Sequence, residues 1–185
     1  LFPTEPPRPM LRMVRLAEEL GYSHVWFGDS QVIWRELYVN LGAAALATKR
    51  VTLAAGVTNP LTRNVTVTAS ALATLHELTG GRVALGIGTG DSSVETLGER
   101  PATLAYLKES IQVIRRLLAG ERVALGTGEV HMDWAQVSPI PVFIGASGPR
   151  VLRLAGQVAD GAIILVGTAP EYLHAALACI RQGAE

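Results

Sequence analysis

Helical periodicity alternates with short apolar runs along the whole chain, and this alternation restricts the fold more than any other feature. Met10, Met13, Val14, Ala17 and Leu20 form one apolar stripe, with Arg12, Arg15, Glu18 and Glu19 on the other face, so the spacing predicts a helix with Pro9 in its first turn and Gly21 at its end. His24 to Gly28 reads as a strand that exits at Asp29-Ser30. A helix over Glu36 to Thr48 and a strand over Val51 to Ala55 follow, the strand leading into Gly56-Val57-Thr58-Asn59-Pro60. A third helix, Asn64 to Leu78, is closed by Gly80-Gly81. Val83 to Ile87 is apolar without alternation, as expected of a strand covered on both faces, and ends in Gly88-Thr89-Gly90-Asp91. Leu104, Leu107, Ile111, Ile114 and Leu117 mark the clearest helix. Glu121 to Pro141, broken by glycines and prolines, reads as a loop with a small hairpin. Two further pairs complete the pattern: strand Pro141 to Gly145 with helix Pro149 to Ala159, and strand Gly161 to Val166 with helix Pro170 to Arg181.

Helices that carry the chain back between strands impose parallel pairing, so the fold class is α/β. Two parallel architectures compete, a (β/α)8 barrel of about 250 residues and an open doubly wound sheet, and 185 residues favour the open sheet. With 49% apolar and 17% charged residues there is ample material for one buried core. Sixteen basic residues against sixteen acidic ones leave no cationic excess to displace counterions, so no nucleic-acid partner is expected. No uncharged apolar run reaches the roughly 18 to 20 residues of a bilayer span, so no membrane partner is expected either. His24, His76, His131 and His174 lack the spacing of a helix-borne metal site, and no metal is expected. The lone Cys179 rules out an internal disulfide and suits a reducing, cytoplasmic compartment.

Candidate chemistry gathers at the strand ends. Asp29-Ser30, Gly56 to Asn59, Gly88 to Asp91 and Gly145 to Gly148 all follow strands, and in parallel α/β folds that edge carries the active site. Each glycine alone is equally well explained as turn chemistry. The third glycine of Gly86-x-Gly88-x-Gly90 falls one place early for a dinucleotide fingerprint, which argues against a nicotinamide site. Gly145-Ala146-Ser147-Gly148 opens directly onto a helix, so its free N–H groups and the helix dipole suit a phosphate; otherwise the loop is a tight turn with Ser147 or Gly148 as cap. Asp91 could exchange a proton with a substrate or cap the next helix. Trp34 could wall a planar ligand.

Gly56-Val57-Thr58-Asn59-Pro60-x-Thr62-Arg63, Gly80-Gly81-Arg82, Gly86-x-Gly88-x-Gly90-Asp91, Ile140 to Pro149 and Leu154 to Gly161 together resemble the luciferase-like flavin and deazaflavin oxidoreductases. Within that family they look most like its methylenetetrahydromethanopterin reductase-like members. The resemblance implies a (β/α)8 barrel, against the length argument, with residues 1–185 as a single partial barrel domain lacking the first and last strands. It implies a cis peptide between Gly56 and Val57, and Asp29, Ser30, Gly56, Val57, Thr58, Asn59, Gly88, Thr89 and Gly90 around a cofactor ring. Gly145, Ala146, Ser147 and Gly148 would cradle its phosphate, and Asp91 and Trp34 would be the catalytic positions. Many members carry Asp-His where this chain has Asp29-Ser30, and a serine cannot replace an imidazole acid.

The implied activity is hydride transfer between the deazaflavin coenzyme F420 and a small organic substrate, by an enzyme that pairs as a homodimer when full length. An FMN-dependent monooxygenase is the alternative on the same fold. A non-catalytic ligand-binding remnant is the alternative from another class.

Overall fold

A computed structural model describes residues 1–135 and 137–185; Gln136, within the stretch expected to be a loop, lies outside the described residues. Helix α1 (Pro7–Glu19) leads to strand β1 (His24–Phe27), α2 (Leu37–Ala47) to β2 (Thr52–Thr58), and α3 (Val65–Thr79) to β3 (Val83–Ile87). A short helix α4 (Ser92–Glu95) and the long α5 (Leu104–Leu118) follow, then a hairpin of β4 (Val123–Leu125) and β5 (Gly128–Val130). The chain continues through β6 (Val142–Ala146), α6 (Pro149–Val158), β7 (Gly161–Ile164) and α7 (Pro170–Ala184).

Local chemistry sets the helix ends. Pro7 opens α1 earlier than the Met10 stripe suggests, because a proline at the first helical position lacks only an N–H that had no partner there. The Asn64 side chain accepts from the Thr66 N–H to start α3, and Gly80 closes it in the left-handed conformation at φ 66°. The Thr103 hydroxyl oxygen accepts from the Tyr106 N–H at α5, and Leu107, Ile111, Ile114 and Leu117 are buried as the stripe requires.

The five long strands form one parallel sheet in the order β1-β2-β3-β6-β7. This order corrects the expectation from length. A doubly wound sheet reverses its strand order at a switch point and carries helices on both faces. Here the order follows the chain, and α1, α2, α3, α5, α6 and α7 pack each on the next along the sheet. The architecture is a parallel α/β half-barrel. Val25, Phe27, Leu53, Leu85, Val142 and Ile144 turn toward the helices and are buried, whereas His24 is exposed and Trp26, Phe143 and Ile163 on the other face are only part-covered. Beyond β1, the Leu1 nitrogen donates to the Trp26 carbonyl and the Gly28 N–H donates to the Leu1 carbonyl at 2.9 Å, the pattern of a parallel neighbour.

The second strand runs further than Ala55. Ala55 pairs with Leu85 and Thr58 with Ile87, so β2 carries one extra residue opposite Gly86, and the Gly56–Val57 peptide there is cis, as the resemblance implies. The anticipated hairpin is β4–β5, while α4 had no signal in the sequence, since four residues are too few to show a period.

Helices α6 and α7 cross backbone against backbone. A Cβ on Gly156 would lie 2.0 Å from the Ile180 carbonyl oxygen, and one on Gly183 would lie 1.9 Å from that of Arg153. Gly156→Ala should therefore lower stability by about 1 to 3 kcal/mol through overpacking, measured by urea unfolding; an unchanged midpoint would show that the crossing can open without cost.

Candidate functional site

The strand tips on the part-covered face are cleared of side chains, and one valine occupies the space. A Cβ on Gly145 would lie 3.1 Å from Val57 Cγ1, and one on Gly86 would lie 3.1 Å from the same methyl and 2.3 Å from the Ala55 carbonyl oxygen. Val57, projected by the extra residue in β2, thus reaches across β3 toward β6 and makes the floor of a shallow mouth. At Gly90 a Cβ would collide with Val94 Cγ2 at 2.4 Å, and its φ of 99° suits only glycine.

Asp29 stands at the tip of β1 with its side chain 1% exposed, and three donors hold it. Arg63 Nη2 donates to Oδ1 at 2.8 Å and Nε to Oδ2 at 3.1 Å, while the Thr58 hydroxyl donates to Oδ2 at 2.6 Å. Arg63 also pairs with Glu36 at 2.7 Å and lies 5.5 Å from the centre of the Tyr38 ring. Its hydrogen bonds to Asp29 hold the guanidinium above its ordinary range despite partial burial. Burial pushes the Tyr38 hydroxyl up to about 12. The Tyr38 oxygen is buried without a hydrogen-bond partner among the described residues.

The loops after β1, β2 and β3 are tied together. Ser92 donates to Ser30 at 3.2 Å, Gln31 Nε2 to the Ser93 carbonyl at 3.2 Å, and Asn59 Nδ2 to Ser93 Oγ at 2.9 Å. Asn59 Oδ1 accepts from the N–H groups of Leu61 and Thr62, which closes the turn after β2. Asp91 is exposed beside this knot; its carbonyl accepts from Val94 and Glu95 N–H, and its side chain makes no cap to α4. The capping role open to it in the sequence is thus played by its backbone. Trp34 lies on Gly28, whose Cβ would fall 2.7 Å from the indole, and packs on Phe2 with ring centres 4.8 Å apart. It covers the tip of β1 through these contacts with Gly28 and Phe2.

Beyond β6, the Ser147 and Gly148 N–H groups have no acceptor among the described residues, and in the first turn of α6 Pro149 has no N–H while those of Arg150 and Val151 precede the first intrahelical bond, from Leu152 to the Gly148 carbonyl. Gly148 to Val151 face Ala102 to Leu104, at the start of α5, across a cleft of about 530 Å3. Among the described residues no group of three His, Cys, Asp or Glu is placed to hold a metal ion, and no helix is long and apolar enough to cross a membrane.

Residues 3–185 match the Luciferase-like monooxygenase family. The chain belongs to that family. It is 36% identical over 99% of its length to a 5,10-methylenetetrahydromethanopterin reductase of Methanolobus tindarius, covering 57% of that protein. It is 37% identical over 97% of its length to an F420-dependent glucose-6-phosphate dehydrogenase of Nakamurella multipartita, covering 58% of that protein. The solved coenzyme F420-dependent tetrahydromethanopterin reductase of Methanopyrus kandleri superposes with a TM-score of 0.84 at 27% identity, over all of this chain and 59% of that one. The chain thus spans a little under three fifths of the length of these relatives.

Arg63, Glu36, Tyr38, Gln31, Ser92 and Ser93 were not singled out by the sequence. Arg63 had a signal: it is the sole Lys or Arg between Arg50 and Arg82 and closes the Gly56 to Arg63 block. The serines and Gln31 had none. Gly145→Ala, whose Cβ would meet only Val57, should fold with a displaced Val57 and lose at least tenfold in affinity for any planar ligand of the mouth, measured by titration; wild-type affinity would show that the valine does not form its floor.

Proposed function

We propose that this chain carries the cofactor site of an oxidoreductase that moves a hydride between a deazaflavin of the coenzyme F420 type and a small organic substrate. The observation that carries this reading is the pairing of a glycine-cleared floor under Val57 with free N–H donors at Ser147 and Gly148. A flat ring needs a surface with no side chain standing up from it, and its phosphate needs convergent N–H groups at a helix start. The residues fit both requirements. The names of the relatives support the deazaflavin over FMN, since both sequence matches near 37% identity are to proteins of F420 or methanopterin chemistry.

When bound, the deazaflavin supplies a hydride from its central ring carbon. The chain's own residues do the rest. Val57 and Gly86, Gly88, Thr89, Gly90 and Gly145 bound the floor, Thr58 and Asn59, both buried, support it from below on the side toward β1, and Ala146 to Gly148 hold the phosphate. Asp91, exposed at the rim, gives or takes the accompanying proton. Trp34 shields the β1 tip from water. Asp29 and Ser30 act from beneath, since both are buried.

In this reading the five parallel strands are one arc of a (β/α)8 barrel, and the neighbour that Leu1 forms beside β1 belongs to the strand preceding it. A cytoplasmic setting suits the lone Cys179. The barrel would pair with a second copy through α2 and α3. Neither helix bears a Lys, Arg or Asp, Glu77 near the end of α3 being the only carboxylate, and Val39, Leu46 and Val67 are 70%, 77% and 53% exposed. A neutral apolar face matches its own copy without charge complementarity. Leu46→Glu in the full chain should convert a dimer to a monomer in sedimentation; a dimer that persists would place the interface elsewhere.

Fluorescence titration of the full chain with F420 and with FMN tests the cofactor. F420 should bind at least tenfold more tightly, and tighter FMN binding would favour the monooxygenase reading. Binding of neither would favour a non-catalytic role. Asp91→Asn should lower kcat by about 100-fold or more with cofactor affinity within threefold; unchanged turnover would remove Asp91 from the mechanism.

A further inference from the structure

We infer that Arg63 is a positioning residue: acting through Asp29, it fixes the buried Thr58 side chain at the tip of β2 and with it the backbone that carries Val57. The inference rests on the proposed cofactor site and concerns a residue outside it. A threonine hydroxyl has one proton, and here that proton is given to Asp29 Oδ2 at 2.6 Å. The Thr58 side chain is therefore held for as long as Asp29 holds its place.

Asp29 holds its place because a planar fork defines it. Arg63 Nε and Nη2 take one carboxylate oxygen each, which fixes both the position and the plane of the carboxylate, and a lysine could fix only the position. The guanidinium is itself fixed from behind, by Glu36 Oε1 at 2.7 Å and by the Tyr38 ring beneath it. Glu36 and Tyr38 stand where the chain enters α2, Asp29 at the tip of β1, and Arg63 before α3. One side chain thus clasps the loop after β1 to the loop after β2, and the end of that chain of contacts is a site residue. A surface ion pair would tie the same loops with no effect on the mouth. The burial of Asp29 and the bond to Thr58 make this one directional.

The test uses the full chain with Arg63→Lys, Arg63→Met and the double variant Arg63→Met/Asp29→Asn. Arg63→Met alone leaves a buried carboxylate without its cation and should melt many degrees lower. The double variant removes that lone charge, so its melting should return close to that of the wild type. Its kcat should nevertheless fall at least tenfold, with KM for substrate nearly constant. Arg63→Lys keeps the charge without the fork and should recover part of that loss. Wild-type kcat in either the double variant or Arg63→Lys would overturn the inference, leaving Arg63 as a structural tie. A cofactor-free crystal structure of Arg63→Lys supplies a readout independent of activity: a rotated Thr58 side chain supports the clasp, and an unmoved one overturns it even if the wild type binds no cofactor. A wild type that binds neither F420 nor FMN would instead overturn the proposed function, which the crystal structure does not touch.

Discussion

The Val57 isopropyl group and the glycines around it occupy one shared volume, and the architecture of the mouth follows from how that volume is divided. In a parallel sheet with helices on one side only, the other face must be filled by side chains from the strands themselves. Trp26 and Phe143 do so, edge to face with ring centres 5.1 Å apart, Phe143 lying level with Gly86 in the register. The strands give up their side chains at Gly86, Gly88 and Gly145, where Val57 from the irregular part of β2 reaches over the cleared ground, and at Gly28, where Trp34 and Phe2 do. Bulk on this face stands at Trp26 and Phe143, and beside them the glycines leave backbone covered by little more than Val57.

The edge at the strand tips concentrates charge in a way that the opposite edge does not. Arg115–Asp160, Arg116–Glu121 and Arg122–Glu129 are all solvent-exposed pairs, of the kind that contributes about 0 to 1 kcal/mol each. Asp29 and Arg63 are different in kind, with side chains 1% and 15% exposed. Losing one partner of such a pair costs about 3 to 5 kcal/mol, because the other charge remains in a poorly solvated place. The burial of that pair beside Thr58, rather than its mere presence, is what connects electrostatics to the geometry of the site.

Much of this was legible in the sequence, because it rests on periodicity and on glycine. Every long helix and every strand of the main sheet was visible in its stripe or its apolar run, and the glycine clusters marked the four strand tips. What was not legible depends on residues distant in the chain becoming neighbours. Arg63 meets Asp29 across 34 positions and Ser92 meets Ser30 across 62, and no local pattern encodes such meetings. Length misled for a related reason: it bears on how many strands a chain can supply, whereas the choice between sheet types was decided by which face the helices took. The cis peptide at Gly56–Val57 was visible only through the family resemblance, and the extra residue in β2 not at all, since Gly56-Val57 reads locally as an ordinary strand end.

The crossing of α6 and α7 has a mechanical meaning. Where two helices touch through their main chains at Gly156 and Gly183, no flexible side chains lie between them to absorb a displacement. They behave as a single stiff lever whose near end is the Gly148 turn, two helical turns from the fulcrum. A displacement of α7 is thereby shared by α6, whose first turn follows the Gly148 loop beyond β6.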